Sequence, residues 1–122
     1  MILLGQLFTL SDRQEAEGQL SWNLHLEAGH RIFKGHSPDN HILPGVCVMH
    51  IVKETLEQEF NTKLRVRKAD QLKFLRIIDP RETPDLKLQV KSVKEEDGYK
   101  ISASLNRENI SFFKMSGKLE MV

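Results

Sequence analysis

The feature that most constrains this chain is a solitary helix signal. Pro44-Gly45 marks a helix start, and Val46, Cys47, Val48, Met49, Ile51 and Val52 then make the first half apolar nearly all round. A helix of that composition is buried on most of its sides. Charges enter from Lys53 onward, which predicts that the second half emerges into solvent. Over residues 46–58 it would be roughly 20 Å long, at about 1.5 Å per residue.

What surrounds the helix reads as strand. Leu20, Trp22, Leu24 and Leu26 alternate with Ser21, Asn23 and His25, the period of a half-buried strand. A polar loop punctuated by glycine and proline runs over residues 30–44. After the helix, apolar positions run from Leu64 and Val66 through Leu72, Phe74, Leu75, Ile77 and Ile78. Leu86, Leu88 and Val90 alternate with Lys87, Gln89 and Lys91. Glu96-Asp97-Gly98 predicts a hairpin turn, since Asp-Gly tolerates positive φ. Tyr99, Ile101, Ala103 and Leu105 form the returning face, and residues 110–121 close the sheet. One apolar helix among antiparallel strands needs a curved sheet wrapped around it. The predicted class is α+β, the hotdog arrangement, as a single domain over residues 1–122.

Bulk properties bound the function. A chain of 122 residues is one domain by length. The lone Cys47 allows no internal disulfide, which suits a reducing compartment. No apolar run approaches the length of a membrane span. Residues 1–10 lack the basic leader and cleavage site of a signal peptide, so a cytoplasmic location is expected. A net charge of +1 argues against a dedicated nucleic-acid binder. Six basic residues (Lys63, Arg65, Arg67, Lys68, Lys73 and Arg76) against the single acid Asp70 form a basic strip that could steer an acidic partner. A solvated strand face is the alternative.

The chemistry is concentrated in residues 33–46, FKGHSPDNHILPGV. This stretch resembles the signature of the β-hydroxyacyl-(acyl carrier protein) dehydratases: Gly35-His36, Pro38 and Pro44-Gly45-Val46 match in identity and spacing, and the order of elements fits over nearly the whole chain. The resemblance implies the hotdog fold, His36 as catalytic base, and the Gly45 amide as donor to the thioester carbonyl, with Pro44 and Val46 beside it in the substrate site. The physics agrees. Dehydrating a 3-hydroxyacyl thioester removes a C2 proton and expels the C3 hydroxyl. A histidine titrates in the useful range, and helix N-terminal N–H groups can hold a developing enolate oxygen. Gly45 would let a substrate approach that backbone. Taken alone, His36 would be an ordinary loop histidine.

The chain departs from the family pattern. The family carries Glu or Asp fourteen residues after its histidine, whereas here that position is His50. Glu54 follows four residues later, on the same helix face, so a Glu54–His50 pair could hold His50 protonated and make it the acid. The alternative is that His50 packs in the core and Glu54 is solvated. Ser37, Asp39 and His41 also replace usual residues. His30, His36, His41 and His50 fit no standard metal-ligand spacing, and no metal or cofactor is expected beyond the substrate's own phosphopantetheine. Cys47 reads as a small core residue.

Three functions follow. The first is a hydro-lyase on 3-hydroxyacyl chains carried by acyl carrier protein, with Lys63, Arg65, Arg67 and Lys68 docking the carrier. The second is a thioesterase of the same fold. The third is a catalytically weak subunit of a hetero-oligomer, its partner supplying the acid. Exposed edge strands predict at least a dimer.

Overall fold

The computed structural model describes residues 2–33 and 41–122. Among the described residues six strands, β1 (Phe8–Ala16), β2 (Gln19–Leu26), β3 (Leu64–Phe74), β4 (Asp85–Glu95), β5 (Gly98–Arg107) and β6 (Ile110–Met121), accompany one α-helix, α1 (Gly45–Phe60). They form one sheet in the order β1-β2-β4-β5-β6-β3. Every pairing is antiparallel. This is the hotdog fold, a curved sheet carrying a single helix.

The alternating strands bury the residues their periodicity selects. Leu20, Trp22, Leu24 and Leu26 of β2 join Leu86, Leu88 and Val90 of β4 and Tyr99, Ile101, Ala103 and Leu105 of β5. Against them α1 sets Cys47, Val48, Ile51, Val52 and Leu56 in one continuous core. Burying side chains of this size contributes about 1.5–3 kcal/mol each.

The structure departs from the sequence reading in four places. First, β1 carries no periodic signal, because beyond Phe8 its residues are exposed or nearly so. It is an edge strand, with a bulge between Ser11 and Gln14. Second, the run expected to continue as strand to Ile78 leaves the sheet after Phe74. Third, Gly98 takes no positive φ. The Glu95–Gly98 pair closes the hairpin, and glycine is required because a Cβ there would overlap the Leu119 carbonyl of β6.

Fourth, the second half of α1 emerges into solvent only in part. Glu54, Thr55 and Leu56 are buried. Residues 2–7 turn across that part of the helix, with Leu3 and Leu7 fully buried. Phe60 then stacks on Tyr99 at 4.0 Å, and Asn61 ends the helix in the left-handed region, at φ 51°.

The other edge of the sheet, β3, is exposed along nearly all its length past Leu64. Leu72, Phe74, Leu75 and Ile77, on and just beyond it, present apolar side chains to solvent. No described helix is long and apolar enough to cross a membrane.

Candidate active site along the central helix

The site is built on α1. Pro44 is the residue before its first turn, with φ −64° and ψ 145°. Its carbonyl accepts from the N–H groups of Cys47, at 3.0 Å, and Val48, at 3.2 Å. The first turn carries no acidic side chain, so nothing there opposes the positive end of the helix dipole. Gly45 faces the ring of Phe74: a Cβ at position 45 would lie 2.8 Å from Phe74 Cζ. The glycine thus admits an aromatic ring of β3 against the helix start. Val46 is 74% exposed.

A groove of 460 Å³ opens here, lined by Pro44, Gly45, Val48, Phe74, Leu75 and Ile77 among others. It is almost wholly apolar and suits a hydrocarbon chain. Among the described residues of its lining, Arg76 is the only cationic one.

One turn further along, His50 Nε2 lies 3.0 Å from Glu54 Oε2. The i,i+4 spacing on a helix places the two side chains together without help from the rest of the fold. Their surroundings reverse one sequence alternative: Glu54 is the buried member, and His50 keeps a quarter of its side chain exposed. Glu54 is buried because residues 2–7 cover it. Its Oε1 accepts from the N–H of Leu3 at 2.9 Å and of Leu4 at 3.0 Å, and its Oε2 from Leu3 at 2.9 Å. No sequence signal pointed to Leu3 and Leu4.

His50 and Glu54 line a second groove, of 640 Å³, with Ile2, Leu4, Lys53 and Lys63 among its other walls. Within one chain the helix start and the His50–Glu54 pair therefore open into different grooves. His36, the expected base, lies outside the described residues, as do Ser37 and Asp39. His41 stacks on Phe33 at 5.5 Å.

The four docking candidates separate. Arg65 and Arg67 both grip Glu120, Arg67 at 2.9 Å and Arg65 through Nε and Nη2. The two guanidiniums hold the Glu120 carboxyl below its ordinary range, Arg67 more than Arg65. Lys68 pairs with Asp70 at 3.2 Å. Lys63 pairs with no described carboxylate and borders the groove of His50.

Burial pushes the Cys47 thiol up, so it stays protonated and is a poor nucleophile. Among the described residues no three His, Cys, Asp or Glu side chains are grouped to hold a metal.

The family model described as ApeI-like, ApeI dehydratase, matches residues 12–113. No significant match is found among curated proteins. Solved structures share the fold. The dehydratase heterocomplex ApeI:P from Xenorhabdus doucetiae superposes with a TM-score of 0.71 at 18% identity, over 92% of this chain and 96% of that one. An uncharacterised protein from Erwinia carotovora subsp. atroseptica gives 0.63 at 19% identity, over 93% and 92%. A putative thioesterase, a phenylacetic acid degradation-related protein from Ralstonia eutropha, gives 0.60 at 12% identity, over 91% and 83%.

Proposed function

The chain belongs to the ApeI-like dehydratase family, and on that premise we propose that it eliminates water from a 3-hydroxyacyl thioester carried on the phosphopantetheine of acyl carrier protein, giving the trans-2-enoyl thioester. The observation that carries this reading is the His50–Glu54 pair, 3.0 Å apart one turn beyond the helix start. It supplies a proton-donating group where the chain lacks the family's acidic residue.

The reaction needs three things. A base takes the C2 proton, and His36 has that role. An acid protonates the C3 hydroxyl as its bond to carbon breaks, and the His50–Glu54 pair has that role. A donor holds the thioester oxygen as it gains negative charge, and the Gly45 amide has that role, with Pro44 and Val46 shaping the approach. The carboxylate of Glu54 compensates the charge that a proton-donating imidazole carries in a half-buried place. The apolar groove beside Gly45 takes the acyl chain.

The working form is an oligomer joined over β3. The free edge of that strand invites pairing with another chain, and exposed Leu72, Phe74, Leu75 and Ile77 give the contact apolar area. The partner is a second copy or a related subunit, and the Xenorhabdus doucetiae heterocomplex supports the latter. Such a partner brings the two grooves of neighbouring chains into one site.

A second reading is thioester hydrolysis, with the same His–Glu pair polarising a water. The fold shared with the Ralstonia eutropha protein supports it. One experiment separates them. The purified protein is incubated with 3-hydroxyacyl chains on acyl carrier protein, alone and with a related subunit, and the products are identified. The expected product is the conjugated enoyl thioester, with His36→Ala slowing its formation about 100-fold or more. A free carrier thiol establishes the thioesterase. No turnover in either setting refutes both enzymatic readings.

A further inference from the structure

The face of the sheet turned away from α1 carries a group of cations that the candidate site does not use. Residues paired across neighbouring strands point to the same side of a sheet, so the register sorts this face into rows. The central row crosses the whole sheet, from β1 to β3, through Gln14, Ser21, Gln89, Ser104, Lys114 and Lys73. In the rows on either side, Lys87 stands opposite Asn106 and Lys91 opposite Ser102. Lys73, Lys87, Lys91 and Lys114 are all exposed, and none pairs with a described carboxylate.

The paired residues of these three rows include no acid. Carboxylates stand at the borders instead. Asp85 meets His25 at 2.7 Å, and Glu95 meets Lys118 at 3.3 Å. Glu108, in the β5–β6 turn, shares a shallow depression with Lys87 and Lys114. Within the band the neutral side chains hold one another: Asn106 Nδ2 donates to Gln89 Oε1 and to Ser104 Oγ, each at 3.0 Å. Lys73 and Lys114 face each other directly across β3 and β6, a like-charge pairing that works against the fold. Strands lie about 4.8 Å apart and residues rise about 3.3 Å each, so the four lysines fall within a patch of about 15 by 13 Å. In a chain of net charge +1, such a band makes a local positive field that favours an anionic partner.

The residue types distinguish among anionic partners. A protein interface is anchored by aromatic side chains, arginine and a desolvated apolar centre, and the three rows present none of these. Lysine is a flexible, hydrated point charge that meets phosphate without fixed geometry. Four such charges on a broad face suit phosphates that can rearrange to meet them. We propose that this face docks on the phosphate headgroups of an anionic phospholipid bilayer. The band has no apolar side chain to insert, so the attachment is peripheral, reversible and weakened by salt. Helix α1 and the two grooves it lines lie on the opposite side of the sheet, so a docked chain keeps them open to an acyl carrier. The attachment does not depend on which thioester reaction the chain performs.

The test is co-sedimentation of the full chain with vesicles of phosphatidylcholine alone and of phosphatidylcholine mixed with phosphatidylglycerol. The wild type is expected to bind the mixed vesicles at low salt, to release as salt rises, and to leave neutral vesicles unbound. A double variant, Lys91→Gln with Lys114→Gln, should lose about fivefold in affinity for each lysine. A second double variant, Lys53→Gln with Lys94→Gln, removes the same charge elsewhere on the surface and should stay within about twofold of wild type. No binding to the mixed vesicles at low salt overturns the proposal, as does binding that salt leaves unchanged. Equal losses in the two double variants also overturn it, because net charge rather than this face would then be responsible. Binding of an acidic carrier protein that is lost with Lys91 and Lys114, in the absence of vesicle binding, would assign the face to a protein and overturn the bilayer reading.

Discussion

Glu54 and Glu120 are both largely buried, and they are held in opposite ways. Glu120 is gripped by Arg65 and Arg67, whose side chains are 70% and 57% exposed. If Glu120 is lost, those guanidiniums turn to water. Glu54 is gripped by backbone amides of a segment some fifty residues away. If Glu54 is lost, the N–H of the fully buried Leu3 has nowhere to turn. The comparison separates a carboxylate that decorates an edge strand from one that organises the interior. It also shows why a helix position that reads as the start of a solvated stretch is closed off: the covering segment needs an acceptor there.

The largest expected effect breaks the Glu54 side. Glu54→Ala leaves buried amides without an acceptor and should cost about 1–3 kcal/mol for the orphaned donors, read as a lower urea midpoint at unchanged slope. A wild-type midpoint would mean that water replaces the carboxylate and that the contrast with Glu120 is empty.

A smaller effect concerns partner binding. Lys63 pairs with no described carboxylate and borders the groove of His50, whereas Arg65 and Arg67 are both paired with Glu120. Lys63→Glu should therefore weaken carrier binding about tenfold, about 1.4 kcal/mol, and Arg65→Glu or Arg67→Glu less. Titrating labelled carrier protein against each variant checks this. Equal losses would return the arginines to the docking surface on the same footing.

The smallest effect is on acid stability. The arginines lower the Glu120 carboxyl from its ordinary 4.5, with Arg67 the larger cause. A carboxyl lowered by folding contributes stability that is fully present above the unfolded value and lost as pH falls through the folded one. The urea midpoint should therefore decline only below about pH 4.5, and Glu120→Gln should make that decline shallower. Asp97 beside Lys118 and Glu59 beside Arg13 are lowered in the same way, so the change should be partial. A Glu120→Gln profile identical to wild type would show that the arginine grip is too well solvated to matter.

The parts legible in sequence share a physical character. Strands β2, β4 and β5 bury one face, so period-two alternation marks them. The His50–Glu54 contact is local to a helix, so i,i+4 spacing foretells it. Strand β1 was not legible: FTLSDRQEA lies at an edge with little buried past Phe8, so burial wrote no pattern into it. The pairing of Arg65 and Arg67 with Glu120 joins residues more than fifty positions apart, which no spacing rule reaches.

By itself the sequence determined the class of fold, the place of the helix and the family motif, because each is set by composition and by neighbours within a turn or a strand. The tertiary structure alone decided which member of the His50–Glu54 pair is buried, which basic residues meet a carboxylate and what lies over Gly45. Those outcomes depend on segments distant in sequence, the turn over residues 2–7, the end of β6 and the end of β3, meeting the helix or the sheet edge in space, and a one-dimensional pattern carries no record of such meetings.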